Sequence, residues 1–230
     1  MTGTSFERAR SAEAKHVRET VILEAAARLA AEQGVRTVTL TAIAAAVGMH
    51  KSAMLRYFET REEIFLRLCA SGWTEWSQAA GARLDRLDDD RTAGPGERIT
   101  AAAGILADTL VARPLFCDLL ANTPGNLERG VSFGAVRTFK ITAIAAARAV
   151  GAGLHGTLPA LSPEQGMDTV ATATAMAGAL WQMAAPGTEL RRFYEETPEL
   201  AHALVDVGPR LTDILSGLLR GYCLPAPSPP

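Results

Sequence analysis

The side chains with most to offer chemically fall in one run, His50-Lys51-Ser52-Ala53-Met54-Leu55-Arg56-Tyr57-Phe58. It holds two cations, an imidazole, a hydroxyl and a phenol. Such a set breaks no bonds by itself, but it matches what duplex DNA asks of a protein. Lys and Arg neutralise phosphates, and short polar side chains at a helix start reach base edges in the major groove. The ordinary alternative is a solvated face of a helical hairpin.

Other reactive groupings are weaker. Cys117 and His155 could be imagined as nucleophile and base, but Cys117 lies in an apolar helical run and His155 in a Gly-rich stretch, where a buried thiol and a loop imidazole are the simpler readings. Gly151, Gly153 and Gly156 follow a helix, not a strand, and lack the Lys-Ser/Thr of a phosphate loop. Four scattered His give no metal spacing, and Asp88-Asp89-Asp90 reads as an acidic loop. No cofactor, metal or catalytic residue is expected.

The elements that would position the cationic run are two short helices over Thr39–Phe58. Thr39 can cap the first. Leu40, Ile43 and Val47 share a face, and Ala44, Ala45 and Ala46 allow close approach. Gly48 suits a left-handed helix end, and Met49 plugs the turn. The second helix spans about Lys51 to Phe58, with Met54, Leu55 and Phe58 inward and His50, Lys51, Ser52, Ala53, Arg56 and Tyr57 outward. This is a helix-turn-helix. Upstream, Val17–Gly34 is an amphipathic helix with Val21, Ala25, Ala26, Leu29 and Ala30 inward. Downstream, Thr60 and Glu63 form a capping box for a fourth helix.

The order of these pieces, with Val47-Gly48, Tyr57-Phe58 and Thr60-Arg61-Glu62-Glu63-Ile64-Phe65, resembles the DNA-binding domain of the TetR family of transcriptional repressors over about residues 17–66. Pro114–Leu120 and Leu127–Ser132 resemble the C-terminal domain of one subgroup. Two positions depart from the family pattern: Leu55 replaces a phosphate-contacting Tyr, and Arg61 replaces a Lys. The resemblance implies an all-α fold, with a three-helix DNA-binding head and a larger helical ligand-binding and dimerisation body. It implies a repressor that leaves its operator when a small molecule binds. The residues expected at DNA are Thr39, Thr41, His50, Lys51, Ser52, Ala53, Arg56, Tyr57 and Arg61. His50, Lys51 and Ser52 are placed at base edges, and Tyr57 and Arg61 at phosphates. The alternative is an all-helical binding or scaffolding protein that never touches DNA.

Composition agrees with the class. Apolar residues make up 48% and aromatics only 6%, an Ala-rich excess that suits packed helices. The net charge is −2, but residues 1–61 carry nine Lys/Arg against six Asp/Glu, and residues 62–230 carry fourteen against nineteen. A basic amino-terminal part on an acidic body fits one DNA-facing end. Three unspaced cysteines and a polar amino terminus without a signal core point to the cytoplasm. Val170–Gly187 is uncharged but too rich in Ala and Thr for lipid, so no membrane partner is expected.

Along the chain the expected domains are a flexible arm (1–16), the DNA-binding domain (17–62), the body (63–222) and a disordered tail (223–230). Helices are expected over about Arg61–Leu87, Glu97–Ala112, Leu115–Ala121, Leu127–Ala152, Pro163–Ala185, Glu189–Glu196 and Val207–Gly221, with bends at Gly72 and Gly81. A homodimer is expected on a palindromic operator, with Ala173, Ala177 and Gly178 in close approach and Leu211, Leu215 and Leu218 as seals. The effector pocket, placed in the body by the resemblance, draws on Trp73, Trp76, Phe116, Phe133, Met176 and Trp181. Their character and the scarcity of charge in the walls point to an apolar or weakly polar, largely uncharged ligand.

Overall fold

The computed structural model describes residues 3–89 and 93–223, with residues 3–12 and 201 by backbone alone. The expected tail Leu224–Pro230, Asp90 of the acidic loop, and the first two residues lie outside them. Ten α-helices and no strand occur among the described residues. The head comprises α1 (Gly3–Gln33), α2 (Leu40–Ala46) and α3 (Lys51–Met54). The body comprises α4 (Arg61–Asp89), α5 (Pro95–Val111), α6 (Pro114–Asn122), α7 (Phe133–Thr157), α8 (Pro163–Ala184), α9 (Glu189–Glu196) and α10 (Val207–Cys223). A π-helical turn, Thr123–Leu127, follows α6.

The expected amino-terminal arm is corrected: residues 3–16 are the first turns of α1. No Gly or Pro interrupts the chain between Thr4 and Gln33, and Ala, Glu, Arg and Lys favour helix throughout. The buried stripe of α1 is Ile22, Ala25, Ala26 and Ala30, while Val21 is 40% exposed. Val21 lies one residue, about 100°, away from the stripe that Ile22 heads.

α4 carries two sets of buried side chains. Ile64 and Phe65 close the head with Ile22, Val38, Ile43, Met54 and Phe58; Trp73, Trp76, Ala80 and Leu84 face the body. Gly72 seats the Phe116 ring, which a Cβ there would overlap. α7 runs five residues past its expected end at Ala152, through Gly153 and Gly156. Burial decides this: Leu154 and Thr157 are wholly buried, and the Thr157 hydroxyl donates to Gly153 O and Leu84 O. The Ser162/Gln165 capping box starts α8 as expected, with bonds of 2.9 and 3.2 Å. Its end is set by Ala185 at φ 42°, just before Pro186.

Of the residues expected at the dimer contact, all but the half-buried Leu218 are buried within one chain. Ala173, Ala177, Leu211 and Leu215 have no exposed surface. Gly178 lies against the backbone of α6, where a Cβ would stand 2.8 Å from Ala121 N. Ala173, Ala177 and Gly178 thus pack inside the protomer, Gly178 directly on α6, and their expected place at a contact between copies is corrected. Gly178→Ala must push two backbones apart, and overpacking of this kind costs about 1–3 kcal/mol. Urea unfolding of the variant is expected to show a loss in that range, and a midpoint equal to the parent's would refute the close contact.

Candidate nucleic-acid interface

The head is built by local chemistry. Gly34 ends α1 at φ 83°, and Gly48 ends the α2 turn at φ 65°, both in the left-handed region that Gly adopts cheaply. Thr39 caps α2, its hydroxyl accepting from Ala42 N at 3.1 Å. Met49 N donates back to Ala44 O at 2.9 Å, which folds the turn under the helix. His50 caps α3: its Nδ1 lies 2.9 Å from Ser52 Oγ and accepts from Ser52 N at 3.4 Å.

The second helix is shorter than its sequence suggests. Regular α3 ends at Met54, and residues 55–57 continue as turns, with Tyr57 N and Phe58 N both donating to Met54 O. Met54 and Phe58 are buried, but Leu55 is 55% exposed. Met54 and Phe58 are one turn apart on one face, and Leu55 points about 100° away from it. Leu55 therefore belongs to the outer surface, which is a correction of its inward placement. Likewise only Ala44 of the three alanines is buried.

Thr39, Thr41, His50, Lys51, Ser52 and Arg56 are exposed together on the head, with Ala53 and Tyr57 half-buried among them. Among the described residues neither Lys51 nor Arg56 takes part in an ion pair. Both charges remain available to an anionic partner. Ser52 and His50 are bonded to each other, which fixes the two side chains at the start of α3 before any partner arrives.

Arg61 differs from the rest. Its guanidinium donates to Val35 O and Val38 O, pairs with Glu62 at 2.9 Å and lies 4.6 Å from the Phe65 ring. The side chain is only 18% exposed. It fastens the loop between α1 and α2 to the base of α4. Glu63 and Arg67 add a second fastening. The Glu63 carboxylate accepts from Glu59 N at 2.6 Å, one residue before the Thr60 amide that a capping box would use. Arg67 pairs with Glu63 and with Glu19 of α1, and sits 5.0 Å from the Phe58 ring.

The residues expected around an effector divide. Trp73, Trp76 and Phe116 come together as a buried cluster with ring centroids 5.6–6.3 Å apart, and Trp76 Nε1 donates to Thr109 Oγ1 at 3.0 Å. Phe133 is 92% exposed at the start of α7 and is not part of it, because α7 begins only there, under the Ser132 cap. Met176 is half-buried. Trp181 lines an open groove of about 500 Å³ between the end of α1, α6 and the end of α8.

The imagined nucleophile is inert. Burial pushes the Cys117 thiol up to about 12, and its Sγ donates to Leu110 O at 3.3 Å. Cys69 is raised to about 12 for the same reason. His155 Nδ1 is engaged by Leu161 O at 2.7 Å. Among the described residues no group of His, Cys, Asp and Glu could hold a metal ion.

Comparisons with known proteins agree with this geometry. Residues 22–68 match the family model described as bacterial regulatory proteins, tetR family. Residues 70–226 match the model for the tetracyclin repressor-like C-terminal domain. Among solved structures, a tetR-family regulatory protein from Rhodococcus RHA1 superposes with a TM-score of 0.55 at 14% identity, over 89% of this chain and 96% of the other. The fatty acid degradation regulator FadR from Bacillus halodurans gives 0.53 at 13% identity, over 88% and 96%. A search of curated protein sequences finds no match.

Arg61→Ala leaves two loop carbonyls without their donor, which costs about 1–3 kcal/mol. The expected result is a less stable head with an unchanged dependence of DNA affinity on salt. A salt slope that falls by about one unit with no loss of stability would return Arg61 to the phosphate contacts.

Proposed function

The chain belongs to the TetR family of bacterial regulatory proteins, DNA-binding regulators of transcription without enzymatic activity, and from that premise we propose that it is a repressor released from a palindromic operator by a small apolar molecule. The observation that carries the DNA part to particular residues is the outer face of the head, where Lys51 and Arg56 stand exposed and unpaired beside the His50–Ser52 pair. Lys51 and Ser52, at the start of α3, are assigned to base edges, and His50 with them. Arg56 and Tyr57 are assigned to phosphates, and Thr39 and Thr41 flank them. Lys51→Ala is then expected to cost ~1–3 kcal/mol at one base position and to relax selectivity there. Arg56→Ala is expected to weaken binding to every sequence alike. Binding unchanged in both variants at physiological salt would sink this assignment.

Reading a palindrome takes two heads spaced by roughly one DNA turn, about 34–36 Å. The outer faces of α7 and α8 support a contact with a second copy. Ile141 and Ile144 on α7 are 53% and 44% exposed, and Met183 on α8 is 60% exposed. Ala171, Ala175 and Ala179 continue the exposed side of α8 at four-residue intervals. A long apolar face with small residues suits helix-on-helix packing. Ala175→Arg is expected to give a folded monomer in sedimentation at micromolar concentration, while Ala177→Arg, wholly buried, is expected to unfold the chain. A parent protein that sediments as a monomer under the same conditions rules the dimer out.

The effector is proposed to act at the Trp73–Trp76–Phe116 cluster between α4, α5 and α6. These are the walls whose displacement would move α4 under the head. No single helix of the described residues is long and apolar enough to cross a membrane. The test is a panel of hydrophobic compounds, read by tryptophan quenching and by DNA release in one titration. Quenching without release would end the allosteric part of the proposal.

A further inference from the structure

One carboxylate joins the head to the body. Asp118, on α6, accepts from Val35 N in the head loop at 2.7 Å through Oδ2. Its other oxygen, Oδ1, accepts from Asn122 Nδ2 at 3.0 Å and from Gln182 Nε2 of α8 at 2.8 Å. Three elements therefore meet at one side chain. Gly34, at φ 83°, supplies the left-handed backbone just before Val35; a Cβ there would make only ordinary contact with Oδ2, at 3.8 Å. The Val35 carbonyl on the same residue is held by Arg61. Val35 is thus gripped at its amide by the body and at its oxygen by the base of α4, four residues before the Thr39 cap of α2.

We infer that Asp118 is a positioning residue for DNA binding, the joint through which α6 and α8 set the orientation of α2 and α3. The inference rests on the reading of the protein as a DNA-binding regulator and adds the residue that couples its two parts. α6 cannot move alone. Its Ala121 backbone lies against Gly178 of α8, and its Phe116 ring sits over Gly72 of α4 beside Trp73. A shift of the aromatic cluster is therefore passed to Asp118 and to the Val35 amide. A bond from an amide to a carboxylate is charge-assisted and directional, so it holds an angle as well as a distance. A head held at one angle loses less freedom on meeting DNA.

The test compares Asp118→Ala and Asp118→Asn with the parent. The first removes every acceptor. The second keeps one oxygen for Val35, and the Asn122 and Gln182 amides can turn over to offer theirs. Exchange of the Val35 amide is followed by NMR in the free protein. Affinity is measured for a duplex selected by the parent protein from a random-sequence library. Asp118→Ala is expected to speed Val35 exchange at least tenfold and to weaken the duplex five- to twentyfold at an unchanged salt slope, with the core amides of Leu106 and Ala173 still protected. Asp118→Asn is expected to return to within threefold of the parent in both. Val35 exchange unchanged in Asp118→Ala overturns the joint. An Asp118→Asn variant as weak as Asp118→Ala also overturns it, in favour of a simple charge effect. Should Asp118→Ala not fold, Gln182→Ala removes only the amide of α8: exchange faster by threefold or more supports the joint, and unchanged exchange refutes it. A parent protein that enriches no duplex counts against the DNA reading alone, since the exchange arm needs no DNA.

Discussion

An apolar face that runs unbroken along one helix is the constraint on which the rest depends. From Ile64 through Phe65, Cys69, Trp73, Trp76 and Ala80 to Leu84, α4 is buried on one side over most of its length. At 1.5 Å per residue the helix spans roughly 43 Å. One continuous core runs along it from head to body. The first turns close a three-helix head, and the remainder serves a body of six further α-helices. The division into head and body is a division along α4 rather than a linker between domains, so the head cannot turn freely. Whatever reorients α3 must move the base of α4 or the loop that Arg61 ties to it.

That loop explains why polar groups matter in so apolar a protein. A turn from α1 into α2 leaves carbonyls and amides unpaired, and burial against the body would make them costly. Arg61 answers the carbonyls of Val35 and Val38, and Asp118 answers the Val35 amide. The same bonds that satisfy the loop also fix the head to α4 and α6. Apolar packing decides that the parts associate; these directional bonds decide at what angle.

The sequence made much of this legible, and its failures have physical causes. Thr39, Gly48, the Ser162/Gln165 box and the burial of Met54 and Phe58 are local rules of capping and periodicity, and the structure follows them. Leu55 was misplaced because a four-residue helix has too few turns for periodicity to assign a face. The loop bonds of Arg61 and Asp118 were not legible because their partners lie 23 to 83 residues away, where no local pattern reaches. Ala173, Ala177 and Gly178 pointed correctly to close helix packing. A stripe of small residues, however, cannot say whether the neighbour is α6 of the same chain or a second copy. Phe133 looked like pocket lining by type alone, and the start of α7 left it in solvent.

The energetics of release bear on how many ties must give. A hydrogen bond to a charged group contributes about 1.5–3 kcal/mol. Loosening the Asp118–Val35 bond alone could therefore change DNA affinity by roughly ten- to a hundredfold at most. Moving a regulator from nearly all bound to nearly all free takes about 5.5 kcal/mol of preference for the released form. A single joint falls short of that. Under the proposed release by a ligand, the remainder would have to come from apolar repacking around the proposed Trp73–Trp76–Phe116 site, since burying more apolar surface returns about 25 cal/mol per Å². On the proposed scheme the polar joint would transmit the change, and the aromatic core would supply most of the energy for it. The two are linked because Phe116 and Asp118 are carried on the same short helix, two residues apart.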